Sequence, residues 1–397
     1  MSHPVDSVPS SQASPAGASS AATSGAAGSS VPAHAQSVLG LAPASDGEQQ
    51  ALISQRKSDH IALCASGEVE FRQKGTLLDQ VQLIHDALPD RHVDDVDLTT
   101  MVLGKKLKAP IVISAMTGGT DEAQQLNRDL ARVAEELGLG FGLGSQRAMA
   151  IRPQTTRTYT VRDVAPTMLL LGNIGLVQAR EMSTAQLQKL VDDVGADALC
   201  VHLNPAMELI QPGGDRDFRS GREVLKRLHE ELSVPVVVKE TGCGLSRSVG
   251  LAVRSLGITA VDVSGAGGTS WVGVETKRAE AGLRALGEEL WDWGIPTGAS
   301  VGLLADLGLT IIATGGLRTG VDVAHALALG ATVGGLAAPV LRAYKAGGYE
   351  GTVRYLQGVI DTVRAITFLT GCRTPAELRF APRVLGSTLR AWLTEAR

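Results

Sequence analysis

The chain lacks the long hydrophobic runs and the basic tracts that would point to a membrane or to nucleic acid. It has no run of about 18 or more apolar, uncharged residues, so no membrane span is expected. Its formal net charge is −4, whereas a general nucleic-acid binder needs a basic face. The N-terminus also lacks a basic segment followed by a compact apolar core, so no secretory signal is predicted.

Cysteine is scarce as well. Cys64, Cys200, Cys243 and Cys372 are widely spaced and form no C-x-x-C pair. This spacing is typical of reduced thiols in a cytoplasmic protein and offers no zinc site. The apolar fraction of 44% is enough to bury a substantial core in one large domain or two ordinary ones.

Bulky apolar and aromatic side chains are few at the start of the chain, where Ser, Ala, Gly and Pro dominate. Such a segment cannot bury enough surface to offset its ordering entropy. We therefore predict a disordered tail over residues 1–48 and a globular region over residues 49–397.

Short apolar runs recur through the globular region and alternate with helical patterns such as 122–137, 183–194 and 320–330. Most runs are nearly continuous in Val, Ile and Leu, which is typical of parallel strands buried on both faces. This alternation predicts an α/β fold, a (β/α)8 TIM barrel. The eight predicted strands are PIVISAM (110–116), LGFGLGS (139–145), TMLLLGNI (167–174), ALCVHLN (198–204), PVVVKE (235–240), AVDVSG (260–265), TIIATGG (310–316) and TVGGLA (332–337).

Polar residues follow nearly every predicted strand, which favours a barrel over an open doubly wound sheet. Barrel sites are built at the C-terminal ends of many strands, whereas an open sheet concentrates them at one switch point. These residues are Thr117, Ser145, Asn173, His202, Asn204, Lys239, Glu240, Ser264 and Arg318.

The segment 314–331 has the pattern of a strand, a glycine turn and a helix. Gly315 and Gly316 allow backbone N–H groups to approach a ligand, and Arg318 can add a charge-assisted bond. Barrels often bind phosphate after strands 7 and 8, and helix N-termini favour anions. The turn therefore predicts a phosphate site, with an ordinary tight turn as the alternative.

Lys239 ends an apolar strand, where a buried lysine needs an anionic or electron-rich partner. A salt bridge to a neighbouring carboxylate such as Glu240 would satisfy it. A phosphate carried by a flat cofactor with carbonyl oxygens would explain Lys239, Asn173, Thr117 and the glycines together. Flavin mononucleotide (FMN) fits that description.

Ten motifs, none specific alone, lie between residues 56 and 331, within a resemblance to known proteins that runs from about residue 56 to about residue 371. They are RKSDH (56–60), SAMTGG (114–119), GLGSQR (142–147), GNIG (172–175), HLNPAME (202–208), QPGGD (211–215), VKETGCG (238–244), SGAGGTSW (264–271), TGGLRTG (314–320) and LALGA (327–331). Together they resemble the type 2 isopentenyl diphosphate isomerase family, the flavin-dependent form.

The resemblance implies an FMN-containing barrel, usually a homotetramer or larger. It implies conversion of isopentenyl diphosphate to dimethylallyl diphosphate with Mg²⁺ and a flavin that is reduced, typically by NADPH. The implied substrate contacts are Arg56, Lys57, Ser145, Gln146 and Arg147, the implied metal ligand is Glu208, and the candidate catalytic residues are His202, Asn204 and Met207. The implied FMN contacts are Ala115, Met116, Thr117, Ser145, Asn173, Lys239, Ser264, Thr269, Gly316, Leu317, Arg318, Ala337 and Ala338.

Elementary chemistry agrees with these roles. A diphosphate is strongly anionic, so Arg56, Lys57 and Arg147 form a plausible clamp. Mg²⁺ can be held by a single carboxylate such as Glu208 while it keeps water and phosphate oxygens. The alternatives are a solvated helix start at RKSDH, a solvent-exposed glutamate and a packed strand-end histidine at His202.

The sequence departs from the family at two positions. Met207 stands where a glutamine is expected immediately before the metal-binding glutamate, and Gly213 stands where a carboxylate is expected. A thioether cannot replace an amide hydrogen bond or relay a proton, although it offers a polarizable apolar wall. Three outcomes stay open: a slower isomerase, a larger or more apolar prenyl diphosphate or related lipid as substrate, or a non-isomerising FMN-binding relative.

Two further functions compete with isomerisation. An oxidase or dehydrogenase of 2-hydroxy acids would use a similar barrel, but it needs a histidine base and an arginine near the ends of strands 6 and 7, and no histidine lies close to Ser264 and Gly265. A regulatory protein that binds FMN or prenyl diphosphates without turnover is the other alternative.

Overall fold

A closed barrel of eight parallel strands is the largest sheet of the described residues. The computed structural model describes His60 and residues 62–396. The predicted tail, residues 1–48, and the predicted substrate contacts Arg56 and Lys57 lie outside the described residues. The strands are β1 (Val81–Leu83), β2 (Thr100–Val102), β3 (Lys105–Leu107), β4 (Ile111–Ile113), β5 (Gly140–Gly142), β6 (Leu169–Gly175), β7 (Ala198–Leu203), β8 (Val236–Glu240), β9 (Ala260–Asp262), β10 (Thr310–Ala313), β11 (Val333–Leu336) and β12 (Arg383–Leu385).

The barrel confirms the predicted fold strand by strand. Its order is β10-β11-β4-β5-β6-β7-β8-β9, so every predicted strand is present and each pairs in parallel with its neighbours. Outside the barrel, β2 and β3 form an antiparallel hairpin, and β1 pairs antiparallel with β12. Val102 and Leu107 of the hairpin pack into the same apolar cluster as the barrel interior.

Helices follow the barrel strands, and capping residues in the sequence mark where they begin and end. The helix predicted over 122–137 ends at Gly138, whose φ of 65° is the left-handed cap that glycine accepts. Ser183 and Gln186 form a capping box at the start of another. The helices are α1 (Asp121–Leu137), α2 (Arg147–Ile151), α3 (Leu176–Glu181), α4 (Thr184–Val194), α5 (Pro205–Ile210), α6 (Gly221–Glu231), α7 (Arg247–Ser255), α8 (Trp271–Arg278), α9 (Ala281–Glu289), α10 (Thr297–Leu304), α11 (Gly320–Leu329), α12 (Ala338–Leu369, kinked at Gly347 and Gly348) and α13 (Ser387–Glu395).

The barrel interior changes from apolar to polar along the strand direction. Side chains two residues apart on a strand lie on the same face. The inward-facing side chains therefore form layers across the barrel, and each residue in one layer is followed two residues later by a residue of the next layer. The apolar level contains Val112, Leu171, Cys200, Val237, Ala260, Ile312 and Val333. The next level, which we call the polar ring, contains Ser114, Asn173, His202, Lys239, Asp262 and Thr314.

The helices in the described part of the chain include none that is long and apolar enough to cross a membrane.

Candidate active site

One cavity of about 270 Å³ opens above the polar ring, at the C-terminal ends of the barrel strands. Five members of the ring line it, and Asp262 lies beneath. Eighteen of the predicted site residues line it together. They are Ala115, Met116, Thr117, Ser145, Arg147, Asn173, His202, Asn204, Met207, Glu208, Lys239, Ser264, Thr269, Gly316, Leu317, Arg318, Ala337 and Ala338.

Gln146 is the predicted site residue of the described range that does not line this cavity. Its side chain is fully buried. Its amide nitrogen donates to the Leu190 carbonyl at 2.9 Å, and its amide oxygen accepts from the Asn173 backbone N–H at 2.9 Å. Gln146 therefore supports the strand end that carries Asn173 from behind the cavity wall.

Lys239 is paired with Asp262 at the floor of the cavity. Its ammonium nitrogen lies 2.7 Å from Asp262 Oδ2 and 3.5 Å from Thr314 Oγ1. The suggested salt bridge to Glu240 is wrong, because strand alternation turns adjacent side chains to opposite faces. Glu240 accepts the Cys243 N–H outside the barrel interior, and burial raises its pKa to about 8.

His202 is held by Asn173 in one orientation. Asn173 donates its amide N–H to the Leu143 carbonyl at 3.1 Å, so its amide oxygen accepts from His202 Nδ1 at 2.8 Å. This assigns the proton to Nδ1 and leaves Nε2 as an acceptor. Burial, with the cations of Lys239 and Arg147 nearby, lowers the His202 pKa to about 4. The imidazole is therefore neutral at neutral pH.

Glu208 lies on α5, one helical turn after Asn204. Its Oε1 accepts from Asn204 Nδ2 at 2.8 Å, and its Oε2 accepts from the Asp215 N–H at 2.9 Å and from Gln211 Nε2 at 3.3 Å. Met207 Sδ lies 3.9 Å from the same Asn204 nitrogen. The polar cluster therefore fixes the carboxylate and places the thioether beside it.

A magnesium ion fits this cluster only through one protein carboxylate. Across His60 and residues 62–396, no group of three or more His, Cys, Asp or Glu side chains could hold a metal ion. Glu208 Oε1 accepts one hydrogen bond and Oε2 accepts two, so Oε1 is the oxygen with more lone-pair capacity left for a metal ion. Mg²⁺ commonly takes one or two carboxylates and completes its octahedron with water and phosphate.

Arg147 presents an uncompensated positive charge to the cavity. It lines the cavity at the start of α2 and is only partly exposed. Its guanidinium makes no hydrogen bond or ion pair with any side chain or carbonyl of the described residues. A partly buried cation without a partner favours an anionic ligand.

Two glycine-containing turns, at 315–316 and 265–267, meet backbone to backbone at one end of the cavity. Gly315 and Gly316 have φ values of 98° and 84°. A Cβ on Gly315 would lie 2.1 Å from the Gly265 carbonyl oxygen, and one on Gly316 would lie 2.5 Å from that of Gly267. Only glycine allows this approach.

Arg318 and Arg342 lie at this end and share one carboxylate. Glu70 Oε2 lies 2.9 Å from Arg318 Nη2, and its Oε1 lies 2.6 Å from Arg342 Nη2. Sequence reasoning missed Glu70 and Arg342. Arg342 stands one helical turn after Ala338, a spacing that could have indicated it, but no local pattern indicates Glu70.

Two hydroxyl groups at the cavity lack a partner, which fits a cofactor with many polar atoms. Ser114 Oγ and Thr241 Oγ1 are buried and make no hydrogen bond within the described part of the chain. Buried polar groups are normally paired. Together with Lys239 and Ser264, they give the cavity several polar groups for a ligand to contact.

Sequence reasoning also left three other lining residues without a role. His60 Nε2 lies 2.9 Å from Glu275 Oε1, and the Trp271 ring packs edge-on against it with centroids 5.3 Å apart. Gln178 donates to Asp215 Oδ2 at 2.9 Å. His60 and Trp271 end the motifs RKSDH and SGAGGTSW, which is the signal that could have found them.

A family model described as FMN-dependent dehydrogenase matches residues 49–207 and 206–383. An isopentenyl-diphosphate delta-isomerase of Methanothermobacter thermautotrophicus is 42% identical over 347 residues, which cover 87% of this chain and 97% of that protein. An enzyme of the same name from Methanosarcina barkeri is 43% identical over 337 residues, 84% of this chain and 92% of that protein.

Solved structures share the fold at low identity. A Pediococcus acidilactici protein described as a putative lactate oxidase aligns with a TM-score of 0.62 at 16% identity, covering 85% of this chain and 94% of that one. A flavocytochrome b2 variant with sulfite bound aligns with a TM-score of 0.62 at 22% identity, covering 86% of each chain. At these identities the likeness shows the fold alone, which is the (β/α)8 barrel.

Proposed function

The chain belongs to the FMN-dependent, type 2 isopentenyl-diphosphate delta-isomerase family, and we propose that it interconverts isopentenyl diphosphate and dimethylallyl diphosphate by a 1,3-proton shift. The substrate is a small prenyl diphosphate and the product differs from it only in the position of the double bond. Membership rests on 42% identity over 87% of the chain.

The unpaired guanidinium of Arg147 is the observation that carries the proposal. Arg147 lines the cavity together with Ser145 and His202, and its positive charge helps to lower the pKa of His202. A diphosphate is the ligand that needs such a charge, and charge-assisted bonds to arginine are strong and directional. Arg56 and Lys57 are proposed as further diphosphate contacts on the family resemblance.

FMN is the proposed cofactor, and when bound and reduced it supplies or relays the proton and stabilises nearby positive charge. The residues of the chain hold and orient it. Lys239, Ser264 and Thr269 offer donors along the floor and wall, while the turn at 316–318 and the start of α12 offer backbone N–H groups.

Mg²⁺ is proposed to bind Glu208 Oε1 and the substrate diphosphate. Asn204, Gln211 and the Asp215 N–H hold the carboxylate in one orientation. His202, neutral and fixed by Asn173, is proposed to accept a hydrogen bond or a proton at Nε2. Around these groups, the apolar walls of the barrel exclude water from the alkene.

Met207 is proposed to slow the reaction rather than to abolish it. The thioether offers an apolar, polarizable wall but no acidic hydrogen. Proton handling then falls to the reduced cofactor and His202. A larger or more apolar prenyl diphosphate is the alternative substrate that the same wall would accommodate.

Oxidation of 2-hydroxy acids is the second candidate, since the matching family model is described as FMN-dependent dehydrogenase and one solved structure of the same fold is described as a putative lactate oxidase. That chemistry needs a histidine base and an arginine at the ends of the sixth and seventh barrel strands. Residues 260–269 and 310–319 contain no histidine. If lactate or glycolate fails to bleach the bound flavin anaerobically, this candidate is discarded.

NADPH as the reductant, a homotetramer or larger homo-oligomer, and a cytoplasmic location are proposed on the family resemblance alone. A comparison of NADPH with NADH as reductants of the bound flavin would test the reductant. Light scattering would test the oligomeric state.

The test of the function is anaerobic turnover. Purified protein with fully reduced FMN and Mg²⁺ should convert isopentenyl diphosphate to dimethylallyl diphosphate. Arg147→Ala should raise KM for the diphosphate by about 10- to 100-fold, the range expected for a lost charge-assisted bond. Arg157→Ala, at an exposed ion pair with Asp121, is the matched control. No turnover with the flavin reduced would contradict the proposal.

A further inference from the structure

Asp262 lies beneath the cavity, where it contacts three residues that line it. It ends β9 and is 4% exposed. Its Oδ2 lies 2.7 Å from Lys239 Nζ, and its Oδ1 accepts from the Ser264 N–H at 3.2 Å and from the Thr314 hydroxyl. One carboxylate therefore orients three neighbouring groups of the cavity floor.

The bonds of Asp262 leave Lys239 with one donor for the cavity. An ammonium group has three N–H donors. One is directed at Asp262 and one at Thr314 Oγ1, which is 3.5 Å away and has already given its own hydrogen to Asp262. The third N–H is available to a ligand above, while the positive charge of Lys239 is compensated from below.

We propose that Asp262 is a positioning residue that lowers the reduction potential of the flavin bound above Lys239. The inference rests on the proposed function, because it takes FMN as the occupant of the cavity. Reduction of FMN by two electrons and one proton adds a negative charge to its ring. A lone ammonium group would favour that charge, and a carboxylate behind the ammonium opposes it.

This arrangement suits a reaction in which the cofactor must be electron-rich rather than easily reduced. With Asp262 ionised, Lys239 still donates a hydrogen bond to the flavin, but the net charge of the pair is zero. The reduced cofactor therefore keeps more electron density on its ring than it would above an unpaired ammonium. Asp262 does not line the cavity and acts through Lys239, Ser264 and Thr314.

The test compares reduction potentials of FMN-loaded wild type and Asp262→Asn, without any prenyl diphosphate. Each is titrated anaerobically with dithionite beside a reference dye. In the variant, the affinity for reduced FMN relative to that for oxidised FMN should increase at least about tenfold. This increase corresponds to a rise of about 30 mV in the reduction potential of a two-electron couple. Asp197→Asn is the control, since Asp197 pairs with Lys105 and Arg162 before β7, outside the cavity lining.

A second pair of variants covers the case in which the unpaired ammonium prevents folding. Lys239→Gln leaves the Asp262 charge uncompensated and should lower the potential below that of the wild type. Adding Asp262→Asn should raise it again. Equal potentials in Lys239→Gln and in the double variant would overturn the proposal.

The remaining outcomes separate this inference from the proposed function. FMN-loaded Asp262→Asn with the wild-type potential overturns the inference and leaves the isomerase proposal intact. The expected shift in a protein that does not turn over isopentenyl diphosphate supports the inference and refutes the isomerase. Failure of the wild type to bind FMN overturns both.

Discussion

Glu70 Oε1 lies 2.6 Å from Nη2 of Arg342, although 272 residues separate the two along the chain. The other oxygen of the same carboxylate lies 2.9 Å from Arg318. The segment that carries Glu70 is also bonded to the loop after β9, through the Phe71 N–H to the Gly268 carbonyl and the Ser270 N–H to the Val69 carbonyl. The Glu70 side chain thus connects the beginning of the described chain to Arg318, which follows the glycine turn, and to Arg342 on α12, while the backbone beside it binds the loop after β9.

Replacing Glu70 by glutamine should destabilise the protein in a pH-dependent way. Its two arginine partners outweigh partial burial and hold the Glu70 pKa below its usual value. The stabilisation is therefore present at neutral pH and lost as pH falls through that lowered pKa. We expect a loss of about 0.5–1 kcal/mol at pH 7, as for exposed ion pairs. Urea unfolding of both proteins at pH 7 to 3 measures it. Glu68→Gln, exposed on the same segment, should change nothing.

Replacing His202 by asparagine should weaken the pH dependence of the unfolding free energy at acidic pH. Because the His202 pKa is about 4 in the folded protein and near 6.5 when unfolded, the unfolded chain takes up the proton first. Wild-type stability should be full above pH 6.5 and fall towards pH 4, by up to about 3 kcal/mol. Unfolding midpoints at four pH values measure the slope. Equal slopes in both proteins would show that His202 is not held neutral by its surroundings.

Restoring an amide at position 207 should accelerate turnover. If proton handling limits the reaction, Met207→Gln should raise kcat by about tenfold or more, a modest part of what general acid–base groups contribute. Met207→Leu, which keeps an apolar wall, should stay near the wild type. The measurement is product formation under anaerobic, reduced conditions. A lower kcat in the glutamine variant would indicate that the thioether itself serves this chain's substrate.

Replacing Glu208 by glutamine should raise the Mg²⁺ concentration needed for half-maximal activity by about tenfold or more, since Mg²⁺ would lose its one protein carboxylate. The same buried hydrogen bonds also position Asn204, so unfolding should be measured alongside. Asp217→Asn is the matched control, because Asp217 is an exposed carboxylate paired with Arg219. An unchanged magnesium requirement would remove Glu208 as the metal ligand.

Gln146 offers a direct choice between a substrate contact and a support. Gln146→Met removes both hydrogen bonds and leaves the buried Asn173 N–H without its acceptor, whereas the Leu190 carbonyl lies within α4 and keeps its helical hydrogen bond. We expect a loss of about 1–3 kcal/mol in unfolding free energy, as for one buried group left unsatisfied. KM for the diphosphate should change little if the amide only supports Asn173. A large rise in KM with unchanged stability would favour the substrate contact implied by the family resemblance.

The fold could be predicted from the sequence because its signals are local. A buried parallel strand needs a short apolar run, and α1 needed only apolar residues at helical spacing with Gly138 at its end. The polar side chains after each run predicted the cavity, since parallel strands bring their ends together. Asn173, His202 and Lys239 follow from this rule alone.

The remaining parts of the site depend on long-range geometry. The pairing of Lys239 with Asp262 rather than Glu240 is decided by which face of β8 each residue occupies. Glu70 has no pattern of its own and becomes significant only where the folded chain brings Arg318 and Arg342 together. Gln146 stands in a site motif, yet its side chain lies behind the cavity wall, where it bonds the Leu190 carbonyl and the Asn173 N–H.

The polar ring also bears on how the protein acquires its site. Its six members lie on six different barrel strands or directly after them, and each stands two residues beyond an apolar inward position. A slip of one residue in any of these strands would expose apolar side chains to the cavity and bury a charged or amide group in the barrel. Closing the barrel correctly and assembling the floor of the site are therefore one event, and a chain that has folded needs no later rearrangement of these six side chains.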